Sequence, residues 1–587
     1  MNPEDRLYTL LSSLYPDMTD WLWQKLIKRL QEFRKRHPLL HMDRKGFNQE
    51  DVILITYADQ FQETSERPLK SLLTFIQAHL GDLISGIHLL PFFPASSDDG
   101  FSVIDYYRVD PRLGSWQEIE QIGKHYRLMM DAVINHISSE SEWSMAFKQW
   151  EDPYHDYFFI PDPSFDFSRV FRPRSHPLLT PVQTRDGWKN LWTTFSTDQY
   201  DLNYANPLVL LEIIEVLLFY LERGASILRL DAIGYIWKES GTSCLNLPQA
   251  HTLVKIIRAA LDIACPNAIL ITETNVPHEE NLAYFGNLLA MEGKGNLRGD
   301  EAQMIYQFSL APLVLHTFHS NTVNAISDWL ASLTIPSGEA YYFNFIASHD
   351  GIGVIPAKGI LSESEVQALI DQTLEHGGLV SYRSAPDGTK SVYELNTTLF
   401  DALNDPAYPD ASMDVRRFLA SQTLMLSLAG VPGIYVHSLF GSRNCLRCVS
   451  ESGQARSVNR EKFDLEGLEQ ELRDENNLKH LIFEGYKKLL GIRRFQPAFH
   501  PSAPQKVIIS HPHVFSLLRH TPDGRQKILC LINVTPKNQT YRLQIEKYPL
   551  SSERWVDLVS TRVIHPELSE LTLSLKPFEF MWLTAEG

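Results

Sequence analysis

Eight short apolar runs, nearly all ending in a charged or histidine tip and separated by helix-length stretches, constrain this chain more than any other feature. They are Val52–Asp59, Gly86–Phe92, Leu128–His136, Ile227–Tyr235, Ala268–Asn275, Met304–Phe308, Tyr341–Asp350 and Gly433–Val436. Runs of this length are consistent with strands buried on both faces, and the helical spacers between them call for parallel crossovers. The fold they predict is α/β: a (β/α)8 TIM barrel.

In such a barrel the polar tips lie at the C-terminal ends of the strands, where active sites form. Asp59, His88, Asp131, His136, Arg229, Asp231, Glu273, His349 and Asp350 would then converge on one pocket. Within the fourth run, Arg229 and Asp231 are two positions apart and share one face of an extended strand. A cation beside a carboxylate keeps it ionised, as a carboxylate nucleophile requires. An isolated Arg-x-Asp is more often a buried structural ion pair, so the other tips decide.

Two spacers are too long for simple turns. Residues 137–200, after the third strand, are rich in aromatic residues and proline, and residues 351–412, after the seventh, contain the turn signal Pro386-Asp387-Gly388. Both are expected to cover the pocket as lids. Residues 1–50 form a helical extension with Leu22, Leu26, Ile27 and Leu30 at helical spacing, and residues 51–500 form the barrel. Residues 501–587 carry short β-like runs that predict a small C-terminal β-sandwich domain.

The charge balance narrows the partners. Lys and Arg number 54 against 71 Asp and Glu, a formal charge of −17, which disfavours nucleic acid and anionic membrane. A small, locally bound anion remains compatible. No run approaches ~20 uncharged apolar residues and the N-terminus lacks a leader pattern, so a soluble cytoplasmic protein is expected. The five cysteines are sparse and odd in number, which suits a reducing compartment. Cys445 and Cys448 form a lone C-x-x-C without the second pair a zinc site needs. No metal and no cofactor are expected, and nothing in the sequence sets the oligomeric state.

Four stretches carry a family resemblance: Asp131-Ala-Val-Ile-Asn-His136, Arg229-Leu-Asp231, Ile271-Thr-Glu-Thr-Asn275 and Ser348-His349-Asp350. In order and placement they resemble the four signature regions of the alpha-amylase clan of glycoside hydrolases and transferases. That resemblance implies Asp231 as nucleophile, Glu273 as general acid/base and Asp350 as transition-state stabiliser, oriented by Arg229, His136 and His349. Within the clan, Leu54-Ile-Thr-Tyr-Ala-Asp59, His88-Leu-Leu-Pro-Phe-Phe93, Arg172-Pro-Arg174 and His349-Asp-Gly-Ile-Gly353 look like the sucrose phosphorylase subgroup. The likeness implies a glucose subsite lined by Asp59, His88 and Arg456, flanked by Gln199 and Tyr235 and walled by Phe101 and Phe195.

By the same resemblance the reaction is retaining phosphorolysis of an α-glucoside, with inorganic phosphate as co-substrate. Retention needs two carboxylates about 5–5.5 Å apart, which Asp231 and Glu273 on adjacent strands can supply. Arg174 from the first lid and Tyr393 and Glu394 from the second are implied at the phosphate and acceptor site. Where sucrose phosphorylase has Tyr-Gln in its acceptor loop, this chain has Tyr393-Glu394, so a fructose-binding site is not implied. The helical extension and stretches such as Trp192-Thr-Thr-Phe195 and Arg456-Ser-Val-Asn-Arg460 instead resemble the branch of the subgroup that releases D-glycerate. Sucrose or another α-glucoside such as glucosylglycerol is the alternative donor.

Overall fold

In a computed structural model, described for residues 2–41, 46–290, 297–334, 336, 338–384, 389–548, 550, 554–566 and 570–585, eight parallel strands close into a barrel. They are β1 (Ile53–Thr56), β2 (Gly86–Leu89), β3 (Arg127–Ala132), β4 (Ala225–Leu230), β5 (Ile269–Thr272), β6 (Met304–Tyr306), β7 (Tyr341–Asn344) and β8 (Val431–Tyr435). Each pairs with its neighbours in sequence, and β8 closes on β1. All eight runs read from the sequence overlap a barrel strand. The strands are buried on both faces, hence their nearly continuous apolar character.

Register carries the chemistry from strand to strand. The β3–β4 pairing sets Asp131 opposite Arg229, and the β4–β5 pairing sets Arg229 opposite Ile271. A residue of β4 is therefore flanked at one height by side chains from both neighbours.

Before the barrel, α1 (Pro3–Leu14) and α2 (Thr19–Arg36) bury Leu7 and Leu11, and Leu22, Leu26, Leu30 and Phe33. These positions recur every four or so residues, so each helix shows one apolar stripe to the barrel. Both helices pack on α3 (Pro248–Ala264), and Arg6 of α1 pairs with Asp262 of α3. Asp262 also accepts the buried Arg258 at 2.8 Å and Arg298 at 3.3 Å. One carboxylate thus gathers three guanidinium groups.

Between β3 and β4 the chain forms a hairpin, Leu179–Thr184 with Gly187–Trp192, and pairs His136–Ser138 with Gln199–Asp201. After β7 it forms the sheet of Ile352–Gly353, Leu379–Ser384 and Lys390–Asn396 around the helix Glu363–Glu375. The expected turn Pro386-Asp387-Gly388 lies outside the described residues. Beyond the barrel, a six-stranded antiparallel sheet faces the two-stranded sheet Gln539–Gln544 with Glu570–Leu575. Leu518, Leu529 and Leu531 of the first pack with Tyr541, Leu571 and Leu573 of the second, giving a C-terminal β-sandwich. Among the described residues no helix is long and apolar enough to cross a membrane.

Candidate active site

The β3–β4 register brings Arg229 between two carboxylates. Its guanidinium is 2% exposed; Nη1 donates to Asp131 and, at 2.7 Å, to Asp231 Oδ1, and Nε donates to the Tyr306 hydroxyl at 3.0 Å. His88 Nε2 lies 2.8 Å from the other oxygen of Asp131. Burial works to raise Asp131, but Arg229 and His88 outweigh it and hold the carboxyl below its usual value. Asp131 is the fixed counter-ion that leaves part of Arg229 for Asp231.

Just past the end of β4 the backbone turns sharply, and Ala232 adopts the left-handed conformation (φ 49°). Non-glycine residues there are uncommon and tend to mark functional turns. Here the turn delivers the Ala232 N–H to Glu273 Oε2 at 2.9 Å. The carboxyl after β5 is thereby tied to the residue next to Asp231.

The two carboxyl groups differ in what opposes their burial. Glu273 is pushed up to about 7, chiefly by burial and then by the neighbouring Asp231 and Asp350 charges, with Arg229 acting against the rise. Burial also raises Asp231, but Arg229 and His136 oppose it, and Arg229 bonds it directly. At neutral pH the shared proton belongs on Glu273 and the negative charge on Asp231.

Asp350, after β7, lies among cations. Arg456 Nη1 is 2.6 Å from Asp350 Oδ1, and Arg460 Nη2 is 3.5 Å from the same atom. Burial would raise this carboxyl, yet the charges of Arg456 and Arg460 hold it far below its ordinary range. His349 is itself driven down to about 3, mainly by burial, and so is neutral; its ring stacks on Phe101 at 5.0 Å.

Around these groups lies a cavity with about 990 Å³ of empty space, part of it open to solvent. Phe101, His136, Phe195, Gln199, Tyr235 and His349 line it together with Asp231, Glu273 and Asp350. From the two long insertions come Arg174 and Tyr393. The Arg174 guanidinium sits over the rings of Phe195 and Tyr393 at 5.7 Å each, and among the described residues its only hydrogen bond is a 3.5 Å contact to the Pro173 carbonyl. The two rings hold that cation over the pocket, and among the described residues no carboxylate forms an ion pair with it.

Three expectations need revision or refinement. Asp59 is not brought to this cavity: its Oδ1 lies 2.6 Å from Lys462 Nζ, and it lines an adjoining cavity with Tyr57, Ser97 and Asp99. Lys462, from a segment distant in sequence, holds it there. Arg456 lines the cavity but is bound by Glu394 as well as Asp350, its Nε lying 3.1 Å from Glu394 Oε2. Glu394, 2% exposed, therefore meets the pocket as an ion-pair partner. His88 and Arg229 face a smaller recess that shares Glu273, His349 and Asp350 with the main cavity.

Sequence reasoning missed several groups. Arg460 bonds the His349 carbonyl at 2.8 Å and pairs with Asp99 and Asp350. Its sequence signal is its place in the stretch Arg456-Ser-Val-Asn-Arg460, which carried the resemblance but named no role for it. Asp198 accepts the hydroxyls of Ser97, Ser102 and Ser139 at 2.6 to 2.7 Å, pinning the loop that carries Phe101. The C-x-x-C is closed as a Cys445–Cys448 disulfide, and Glu461 is the third donor beside it.

The alpha amylase catalytic domain profile matches residues 69–357. A glucosylglycerate phosphorylase of Spirochaeta thermophila is 43% identical over 100% of this chain and 99% of its own length. One of Allomeiothermus silvanus is 47% identical over 90% of this chain and 95% of its own. Among solved structures, a sucrose 6F-phosphate phosphorylase from Thermoanaerobacter thermosaccharolyticum superposes with a TM-score of 0.69 at 24% identity, covering 83% of this chain and 94% of that one, a likeness of fold. With the barrel, the three carboxylates and near-full-length identity in agreement, the chain belongs to the glucosylglycerate phosphorylase family, built on an alpha-amylase-type barrel.

Proposed function

We propose that this protein is a retaining glycosyl phosphorylase that converts 2-O-α-D-glucopyranosyl-D-glycerate and phosphate into α-D-glucose 1-phosphate and D-glycerate. The observation that carries the chemistry is the division of one proton between two carboxyls, with Glu273 raised to about 7 and Asp231 bonded by Arg229. The substrate rests on identities of 43% and 47% to enzymes of that name.

In the first half-reaction Asp231 attacks the anomeric carbon while Glu273 gives its proton to the departing 2-oxygen of glycerate. The product is a β-glucosyl ester on Asp231. In the second half, a phosphate oxygen attacks the same carbon, the ester bond breaks, and the phosphate proton passes to Glu273. Two inversions return the α configuration. Asp350, kept ionised by Arg456 and Arg460, is suited to grip the sugar hydroxyls and to stabilise positive charge at the anomeric centre.

Arg174 is the group we assign to the incoming anion, because among the described residues no carboxylate pairs with it and it sits over two rings that line the pocket. Glu394 enters the reading through Arg456 rather than through an acceptor, with Tyr393 beside Arg174. Phosphate is the only co-substrate this chemistry needs, and no cofactor takes part in it. The division we favour is an N-terminal helical extension, 1–50, a catalytic barrel, 51–500, with lids 137–200 and 351–412, and a C-terminal β domain, 501–587.

Phosphate-dependent release of glucose 1-phosphate from glucosylglycerate tests the proposal. Turnover of sucrose or glucosylglycerol in preference to glucosylglycerate would replace it with the alternative donor, and turnover without phosphate would make the enzyme a hydrolase.

A further inference from the structure

Three segments meet on one carboxylate beside the pocket. Asp198, just before the pocket residue Gln199, accepts the hydroxyls of Ser96 and Ser97 at 2.5 and 2.6 Å, of Ser102 at 2.7 Å and of Ser139 at 2.6 Å. Its backbone carbonyl also accepts the Ser139 N–H at 2.8 Å. Burial works to raise this carboxyl, and the four hydroxyls hold it below its ordinary value. Asp198 is therefore charged at neutral pH, and its lone pairs are satisfied by neutral donors.

The serines bracket a stretch that does not hold its shape unaided. Asp98, Asp99 and Gly100 have φ of 54°, 47° and 106°, three successive residues at positive φ. For aspartate that conformation is costly, and it persists where neighbouring contacts impose it. Position 100 requires glycine, because a Cβ there would stand 2.6 Å from the Pro91 carbonyl oxygen. The turn sends two adjacent carboxylates to different places: Asp98 lines the catalytic cavity, while Asp99 lines the adjoining one and pairs with Arg460.

Phe101 follows at once. Its ring stacks on His349, and its carbonyl oxygen lies 3.1 Å from His136 Nε2 and accepts Gln199 Nε2 at 3.3 Å. Gln199 Nε2 also donates to Asp98 Oδ2 at 3.3 Å. The stretch 98–101 thus touches two histidines and the glutamine that line the pocket with Asp231 and Asp350. Asp198 does not line that cavity and bears on it through the serines.

We propose that Asp198 is a positioning residue of the donor site. Through Ser96, Ser97 and Ser102 it holds the turn that presents Asp98 and Phe101 to the glucosyl group. Through Ser139 it locks that turn to the root of the insertion that carries Arg174 and Phe195. The identity of the donor rests on the phosphorylase reading; the hold on the turn rests on geometry. Asp198 takes part in no bond to the sugar and in no proton transfer.

The test follows the full-length enzyme with glucose 1-phosphate and D-glycerate, together with amide hydrogen exchange of the peptide spanning 96–103. Asp198→Ala should speed exchange in that peptide about tenfold or more while the barrel strands keep their protection. It should raise the KM for glucose 1-phosphate about tenfold or more and leave the KM for D-glycerate within about threefold of wild type. A merely structural role would lower the active fraction instead, reducing kcat with both KM values kept. Ser97→Ala removes one of the four hydroxyls with little risk to folding and should raise the same donor KM about two- to fivefold. In the Asp198→Ala background it should add little, because the two changes break one bond. Unchanged exchange, an unchanged donor KM in both variants, or full additivity would overturn the proposal. A wild type that turned over no glucose 1-phosphate would overturn the phosphorylase reading, and exchange at 96–103 would still decide whether Asp198 holds the turn.

Discussion

Glu273 accepts the backbone N–H of Ala232 at 2.9 Å, so the acid and the residue after Asp231 are joined by the left-handed turn at the end of β4. The hydrogen bond sets the position of Glu273, and burial sets its proton affinity.

Glu273 keeps its proton to about 7 in the folded protein, against an ordinary value of 4.5. Between those values the folded state holds a proton that the unfolded chain has lost, so this residue lowers stability as pH rises through that window and adds nothing below it. Glu273→Gln should melt higher than wild type at pH 8 and equally at pH 4, by ~1–3 kcal/mol at the upper end. The same variant should lose about 10²- to 10⁴-fold in kcat with glucosylglycerate. The wild-type kcat/KM should decline above pH ~7 as the acid form is lost; a flat profile there would separate Glu273 from the proton transfer.

Asp231→Asn should abolish turnover by about three orders of magnitude or more while leaving the melting temperature close to wild type. Arg229 still has Asp131, so no buried charge is orphaned. Retained activity would move the nucleophile elsewhere.

Arg174→Ala should raise the KM for phosphate about tenfold or more and change the glucose subsite little, because the cation it removes lies over the pocket mouth between Phe195 and Tyr393. Arg174→Lys should recover little of the loss, since a lysine ammonium cannot stack between the rings as a planar guanidinium does. Initial rates with varied phosphate and with varied glucosylglycerate distinguish the two effects.

Glu394→Gln weakens the hold on Arg456, which then rests on Asp350 alone. A cost of ~1–3 kcal/mol in stability is expected from the buried pair. A fall in kcat larger than the change in glycerate KM would show that Glu394 acts through Arg456 and Asp350. The opposite pattern would place it on the acceptor.

Asp262→Ala leaves Arg258 and Arg298 buried with their shared carboxylate gone and cuts the tether from Arg6 of α1. Burial already draws Arg258 down to about 9. A destabilisation of ~3–5 kcal/mol follows for such an orphaned pair, read by denaturant titration. kcat should change little, because none of these groups lines the pocket.

The barrel was legible because its signal is local. Runs such as Ile53–Thr56 and Ile269–Thr272 are apolar over their whole length since both faces are buried, and the charged tips stand out against them. Asp231, Glu273 and Asp350 needed only their place after a strand to be drawn together, because closure of a parallel barrel brings every strand end to one rim. The partners of those carboxylates were not legible. Asp59 pairs with Lys462 and Asp350 with Arg456, contacts between segments far apart in the chain whose choice depends on how each loop lies against the next. Composition and periodicity thus determined the scaffold and the gathering of the polar strand tips at one rim, since strand burial and barrel closure act on short stretches of sequence, and the family resemblance implied which of those carboxyls react. Which cation neutralises which carboxylate was decided by tertiary packing, because electrostatic pairing in a buried site depends on distances of a few ångströms that no single stretch contains.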